Sequence, residues 1–337
     1  MGRISITGRL DLSVTKLEHR SVIANGIRIH FAEAGAGPLA ILCHGFPESW
    51  YSWRHQLTAL AGAGYRVIAP DMRGYGQSDR PSDPTQYTLL HLVDDVVALV
   101  GAADQKSAVI VGHDWGAAVA WHAALLRPDV FSAVAALSVP YRPGGRTRPT
   151  LAMPQDETAL FYQLYFQQPG VAEAELERDV RRSMRAMLVG LSGDGRSAGA
   201  HTRLPAGMVS RETGLLGGLP DPAGLPAWLS EQDLDYYVNE FSRTGFAGGL
   251  NWYRNIDRNW QLLSDHAGAK ISVPALFLAG ARDPVLAFPG VEHAVASLAQ
   301  VVPRLRNSVI VPGAGHWVQQ ERAAAVNAAL IEFLRSQ

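Results

Sequence analysis

Short apolar runs alternate with amphipathic segments over the first 140 residues, and this alternation constrains the fold more than any other feature of the sequence. The runs are IRIHFAEAG, LAILCHG, YRVIAPDM, SAVIVGHD and FSAVAALSV. Segments such as WRHQLTALAGAG and TLLHLVDDVVALVGAAD lie between them and show the helical spacing of apolar residues. Strands this apolar need cover on both faces. The pattern therefore predicts an α/β fold, a mostly parallel sheet with helices on both faces.

The alternation stops near Pro140 and resumes with VPALFLAG (273–280), NSVIVPGAG (307–315) and a final amphipathic helix, RAAAVNAALIEFLRS. We interpret 1–140 and 273–337 as one α/β core and 141–272 as a helical cap inserted after the sixth strand. AEAELERDVRRSMRAMLVGL and EQDLDYYVNEFSRTG are expected to be helical within the cap. Residues 190–226 are rich in glycine and proline, so we expect a loop there, of the kind that often forms a lid.

Composition narrows the classes of partner. The formal net charge is −1 and no basic cluster occurs, so neither nucleic acid nor insertion into a membrane is expected. No apolar run reaches membrane-spanning length, and the first residues lack the apolar core of a signal peptide. Cys43 is the one cysteine and lies in an apolar strand, which fits a reducing compartment. We therefore expect a cytoplasmic protein.

The stretch GHDWG (112–116) has the spacing of a nucleophile elbow, small-x-nucleophile-x-small, between an apolar strand and an alanine-rich helix. Serine holds the middle position in serine hydrolases, whereas here it is Asp114. A helix that begins at Trp115 would direct its N–H groups and positive dipole end toward this carboxylate. The structural alternative is an aspartate that only caps the helix.

Two further residues follow strands. Asp283 comes directly after PALFLAG, and His316 comes after the next apolar run, in VPGAGHW. Each alone has a plain interpretation, a turn aspartate before proline or a loop histidine. Together with Asp114 they stand in the order nucleophile, acid, histidine, each at a strand end, which is the order of the triad in α/β-hydrolases. This order favours a catalytic interpretation.

On these residues the sequence resembles the epoxide hydrolase family of the α/β-hydrolase fold, in particular the catalytic domain of soluble epoxide hydrolase. The resemblance extends from about Asn25 to the C-terminus, and the cap motifs are its most specific part. The matching runs are HGFPESWYSWRHQ (44–56), DMRGYGQSD (71–79), GHDWG, FYQLYFQQPGVAEAELE (161–177), GLNWYRNIDRNW (249–260) and GAGHW.

The resemblance implies a two-step mechanism. Asp114 would attack an epoxide carbon and form an alkyl-enzyme ester. Two cap tyrosines of the family match Tyr162 and Tyr253, and as protonated phenols they would donate to the ring oxygen. Tyr165, three residues after Tyr162, is the alternative donor in that segment, and Tyr253 could instead be a core aromatic.

In the second step His316, oriented by Asp283, would activate water against the ester. The backbone N–H groups of Phe46 and Trp115 would form the oxyanion hole. Phe46, Pro47 and Trp115 would also contact substrate. His44, Glu48 and His113 are expected to make structural hydrogen bonds, and for Glu48 and His113 the alternative is a role in placing the water.

The main rival to this interpretation is a haloalkane or haloacid dehalogenase, which uses the same aspartate nucleophile but binds halide through donors such as indole N–H groups. A receptor or scaffold of this fold would normally lack a triad residue. No metal-ligand motif occurs, so we expect neither a metal nor a cofactor. The expected partners are a small-molecule epoxide and water, for a monomer or homodimer. Detoxification, turnover of lipid epoxides and synthesis of a secondary metabolite all remain open as roles.

Overall fold

The apolar runs form the strands of one large sheet. The computed structural model describes residues 16–195, 204–220 and 224–337. Within these ranges the strands are β1 Glu18–Ala24, β2 Ile27–Ala34, β3 Leu39–Cys43, β4 Arg66–Pro70, β5 Ala108–His113, β6 Phe131–Leu137, β7 Ala159–Phe161, β8 Met208–Ser210, β9 Ala275–Gly280 and β10 Leu305–Val311.

Eight of these strands pair in the order β1-β2-β4-β3-β5-β6-β9-β10. From β4 to β10 every pairing is parallel, whereas β2 is antiparallel to both β1 and β4. The carboxyl ends of the parallel strands therefore meet at one edge of the sheet, where open α/β folds bind their ligands.

The α-helices connect the strands and cover the sheet. They are α1 Arg54–Gly62, α2 Leu89–Ala102, α3 Trp115–Leu126, α4 Pro149–Ala152, α5 Tyr162–Tyr165, α6 Val171–Leu176, α7 Val180–Gly190, α8 Glu231–Thr244, α9 Ala247–Arg254, α10 Ile256–Leu262, α11 Val291–Ala296, α12 Leu298–Val301, α13 Val318–Glu321 and α14 Ala323–Arg335.

The sheet separates two apolar layers, because successive strand residues point to opposite faces. In β3, Ile41 packs with α2 and α3 on one face, while Leu42 packs with α1 and α14 on the other. All five residues of β3 are buried. The predicted fold, a mostly parallel sheet covered by helices on both faces, is thus confirmed.

The cap, meaning the described residues between β6 and β9, contains helices α4 to α10, as expected for an insertion after the sixth strand. The prediction of a loop over 190–226 is wrong in part for the residues that the structure describes, and its segments 196–203 and 221–223 lie outside them. Strand β8 lies in this stretch and pairs antiparallel with β7, and Leu216–Gly218 forms a 3₁₀ turn. These strands have three residues each, which is too short for a periodic signal, and their partners are distant in sequence.

Two other elements differ from the expectation. The segment AEAELERDVRRSMRAMLVGL forms two helices, α6 and α7, because the Asp179 side chain accepts a hydrogen bond from Arg182 N and begins a new helix. Strand β1 was not predicted, since this edge strand is mostly exposed and its charged residues hide the apolar alternation. No helix in the three described ranges is both long and apolar enough to cross a membrane.

Candidate active site

Asp114 occupies a sharp turn between β5 and α3. Its backbone angles are φ 53° and ψ −120°, a conformation that L-residues rarely adopt. The turn is tight because Gly116 packs against β3, where an added Cβ would lie 2.0 Å from Cys43 O. The small residue required by the elbow spacing is therefore a steric necessity.

The Asp114 side chain does not cap α3, which argues against the purely structural alternative. Its Oδ1 accepts a hydrogen bond from Phe46 N at 2.9 Å. Gly45 permits this approach, since a Cβ there would lie 2.4 Å from Asp114 Oδ1. Burial raises the pKa of Asp114, while His316, His113 and the N–H groups of Phe46 and Trp115 act in the opposite direction.

Asp283 and His316 complete a triad with Asp114. Asp283 begins the turn after β9 and His316 lies in the loop after β10. His316 Nδ1 donates to Asp283 Oδ1 at 3.1 Å, and His316 Nε2 lies 3.7 Å from Asp114 Oδ2. All three side chains are buried. The structure thus brings together the three residues that the sequence predicted as a triad.

The charges in this triad determine its protonation. Burial acts to lower the pKa of His316, but the carboxylates of Asp283 and Asp114 outweigh it and raise that pKa to about 9. Burial acts to raise the pKa of Asp283, but His316 holds it below its usual value. The resting site therefore favours an imidazolium between two carboxylates.

A second buried pair braces the loops of the site. Glu48 accepts from His113 Nδ1 at 2.7 Å and from Gly45 N at 2.9 Å, while His113 Nε2 donates to His316 O at 2.7 Å. Both ring nitrogens of His113 thus face acceptors on neighbouring loops. Although burial acts to raise the pKa of Glu48, contacts with His113 and Gly45 lower it to about 2. His44 donates to Gly45 O at 2.9 Å and accepts from Met72 N at 3.0 Å. His44, Glu48 and His113 therefore make structural hydrogen bonds, as the sequence interpretation expected.

The cap contributes two phenols to the same space. Tyr162 begins α5 and Tyr253 lies in α9, and their ring centroids are 5.8 Å apart. Burial and the negative charge of Asp114 raise the pKa of both phenols. Tyr165, the alternative donor, instead donates to Glu175 Oε2 at 2.7 Å.

Two cavities meet at Asp114. We call cavity A the space of about 600 Å³ between the start of the cap and α10, and cavity B the space of about 470 Å³ under α7 and β8. Both are lined by Asp114, Tyr162, Val285 and Phe288. Trp115 lines cavity A, whereas the linings of cavity B include Phe46, Pro47, Tyr253 and His316. The walls of both cavities are mainly apolar.

Three residues in contact with the site did not emerge from the sequence. Gln163 donates to Tyr162 OH at 3.0 Å, Ser138 Oγ lies 3.1 Å from His316 Nδ1, and Glu321 holds the backbone on both sides of His316. Gln163 lies in the run FYQLYFQQPGVAEAELE, which predicted no role for it, and Ser138 and Glu321 belong to none of the matching runs. The one local signal was position, since Ser138 directly follows an apolar strand, as Asp114 does.

Known proteins resemble this chain over most of its length. The sequence profile of the α/β hydrolase fold matches residues 38–323. Epoxide hydrolase A of Mycobacterium tuberculosis is 51% identical over 318 residues, which cover 94% of this chain and 96% of the relative. The solved structure of an epoxide hydrolase from an endophytic Streptomyces is 47% identical with a TM-score of 0.91, covering 95% of each chain. Bifunctional epoxide hydrolase 2 of Sus scrofa is 40% identical over 315 residues, 94% of this chain and 54% of the relative.

The fold and the profile match identify the chain as a member of the α/β-hydrolase fold family. Within that fold it belongs to the epoxide hydrolase family, a class of enzymes that hydrolyse epoxides. The resemblance inferred from the sequence motifs is thereby confirmed, and the dehalogenase alternative loses its support.

Proposed function

We propose that this chain converts an epoxide to a vicinal diol in two steps, through an ester between the substrate and Asp114. The observation that carries the proposal is the position of the Asp114 carboxylate. Its Oδ1 is held by Phe46 N at 2.9 Å, while Oδ2 lies 3.7 Å from His316 Nε2 in a cavity that two phenols share. One oxygen is thus bound to a donor and the other is available for attack.

In the first step Asp114 Oδ2 attacks an epoxide carbon from the side opposite the C–O bond that breaks. The ring oxygen takes up the electron pair of that bond and needs a proton, because an alkoxide is a poor leaving group. Tyr162 and Tyr253 supply donors at this point. Their raised pKa values keep both phenols protonated near neutral pH, so each enters the reaction as a donor.

Ester formation changes the task of His316. In the resting site the charges of Asp283 and Asp114 hold its pKa at about 9. The ring is therefore protonated at neutral pH and cannot act as a base. The ester removes the charge of Asp114, so one of the two supporting carboxylates disappears. The pKa of His316 then falls, and Nε2 becomes able to accept a proton when the ester requires hydrolysis.

In the second step His316 Nε2 takes a proton from water, which attacks the carboxyl carbon of the ester. Negative charge develops on Oδ1, where the N–H groups of Phe46 and Trp115 stabilise it. One such donor is worth roughly 10²–10³ in rate. The tetrahedral intermediate then expels the diol oxygen, which takes the proton from His316. The acid proton left on Asp114 returns to the phenol that protonated the ring oxygen, so the carboxylate and the phenol both re-form.

The cavities support an epoxide with apolar substituents. Phe46, Pro47 and Trp115 are proposed to contact those substituents, since they line the space beside Asp114. The epoxide and water are the proposed reactants, with no cofactor. Cytoplasmic location, a monomeric or homodimeric state and a role in detoxification remain predictions from the sequence, as do the cap bounds 141–272.

A single turnover with enzyme in excess over styrene oxide in H₂¹⁸O tests the mechanism. We expect unlabelled diol, because its new oxygen comes from the Asp114 carboxylate, and one ¹⁸O in the peptide that contains Asp114. Mass spectrometry of both products measures this. The variant His316→Gln should stop after the first step, so that its Asp114 peptide carries the mass of the added substrate. Label that enters the diol directly in the first turnover would rule out the ester.

A further inference from the structure

Ser138, the first residue after β6, has an unusual backbone. Its φ is +71°, and it is one of four non-glycine residues with positive φ in the described part of the chain. Asn25 and Asp104 are exposed and belong to residue types that tolerate this conformation. The other two, Asp114 and Ser138, are buried at the active site. A serine with left-handed backbone angles costs free energy that a glycine at this position would not. Its presence here therefore indicates that the side chain has a function.

The Ser138 side chain contacts the pair that activates water. Its Oγ lies 3.1 Å from His316 Nδ1, the same distance that separates Nδ1 from Asp283 Oδ1. Ser138 also contributes to the lowered pKa of the Asp283 carboxyl, whose Oδ2 is buried and has no hydrogen-bond partner among the described residues. Ser138 is fully buried, and its own N–H donates to Leu278 O at 2.8 Å, which ties it to β9 beside Asp283.

A neutral histidine can carry its proton on either ring nitrogen, and only one of these tautomers is a base toward the ester. The proton must lie on Nδ1 so that Nε2 is free. Two acceptors beside Nδ1 favour this tautomer and fix the plane of the ring. The second acceptor must itself be held in place. A hydroxyl meets both requirements, because it can accept from Nδ1–H while it donates to the neighbouring carboxylate.

We infer that Ser138 is a positioning residue for ester hydrolysis: its hydroxyl bridges His316 Nδ1 and the Asp283 carboxylate and keeps Nε2 directed at the Asp114 ester. The inference rests on the proposed two-step function. It gives Ser138 no role in the first step, in which His316 moves no proton. Loss of the hydroxyl must therefore slow ester hydrolysis and leave ester formation unchanged.

The test compares Ser138→Gly and Ser138→Ala with wild type in single turnovers of styrene oxide, with the ester on Asp114 measured by quenching and mass spectrometry. We expect ester formation within about twofold of wild type and ester hydrolysis slower by about tenfold, the effect of one orienting hydrogen bond. The ester then accumulates in both variants. Glycine relieves the left-handed backbone, so Ser138→Gly should melt no lower than Ser138→Ala.

Asp104→Gly is the matched control, because it removes a left-handed side chain at an exposed position away from the site. It should leave both steps unchanged. Ester hydrolysis at the wild-type rate in Ser138→Gly would overturn the inference. It would also be overturned if both steps slowed equally in Ser138→Ala and returned to the wild-type rate in Ser138→Gly, because that pattern reports only backbone strain. Absence of the ester in wild type would instead refute the proposed mechanism, so the two failures are distinguishable.

Discussion

Burial shifts the pKa of three residues of the site in the same direction, but the consequence differs between the carboxylate and the two phenols. It raises the pKa of Asp114, Tyr162 and Tyr253. For the carboxylate this means a more basic and hence more nucleophilic oxygen, and for the phenols it means that the proton stays on until the ring oxygen needs it. Asp114 and the phenols therefore suit each other, because attack by one creates the charge that the others neutralise.

Removing one phenol should slow ring opening. We expect Tyr162→Phe and Tyr253→Phe each to reduce the rate of ester formation by roughly 10- to 100-fold, since a general acid contributes about 10²–10⁴ and one donor remains. Ester hydrolysis should change little. Single-turnover kinetics that follow the Asp114 ester measure both steps.

Tyr165→Phe is the control for this prediction, because the Tyr165 hydroxyl donates to Glu175. It should form the ester at the wild-type rate. If it slows ring opening as much as Tyr162→Phe does, the assignment of Tyr162 as the donor of this segment is wrong.

Residue by residue, the sequence was informative where a motif has fixed spacing. Asp114, Asp283 and His316 follow strands in a known order, and HGFP and GHDWG contain glycines at positions of close contact. Ser138 could not be found this way, because its role depends on a left-handed φ and on a contact with a residue 178 positions away. A sequence pattern contains neither kind of information.

At the scale of elements, the site is an edge of the sheet at which four loops converge. The loops after β3, β5, β9 and β10 supply Phe46, Asp114, Asp283 and His316. The apolar runs predicted these strands: β3, β5 and β9 are buried along their whole length, whereas the edge strand β10 is mostly exposed and was predicted from the run NSVIVPGAG. They did not predict β1, β7 or β8, since an edge strand with several charged residues and strands of three residues depend on their partners more than on their own pattern.

The contact between two of these loops depends on Gly45. In Gly45→Ala the new Cβ would lie 2.4 Å from Asp114 Oδ1 and 2.5 Å from Asp114 Cβ, so the loop after β3 must move away. We expect the hydrogen bond from Phe46 N to Asp114 to be lost and ester hydrolysis to slow by about 100-fold or more. Rapid-quench measurement of the ester checks this.

Gly62→Ala is the corresponding control, because Gly62 ends α1 and a Cβ there meets no atom within 4 Å. It should keep full activity and gain up to about 1 kcal/mol in the free energy of unfolding. Equal activity of Gly45→Ala and Gly62→Ala would show that the oxyanion hole does not depend on this approach.

At the scale of the whole molecule, hydrogen bonds join the cap to the core beside His316, the proposed base. The Glu321 carboxylate accepts from Gly193 N of the cap at 2.8 Å and from Gly315 N and Trp317 N, the two neighbours of His316, at 2.8 and 3.0 Å. His316 N itself donates to Leu191 O at 2.9 Å. The cap thus holds the backbone of the loop that carries His316.

The same histidine links activity to the stability of the fold. Its pKa is about 9 in the folded chain against an ordinary value of 6.5. A raised folded pKa adds stability that is fully present below pH 6.5 and is lost as the pH rises toward 9, because the unfolded chain releases this proton first. We expect the stability advantage of wild type over His316→Gln to shrink by up to about 3 kcal/mol between pH 6 and pH 9.5, at 1.4 kcal/mol per unit of pKa. Denaturant unfolding of both proteins at the two pH values measures the difference. An advantage that stays constant over this range would mean that His316 is neutral in the resting enzyme, and that the charge of Asp114 does not control the base.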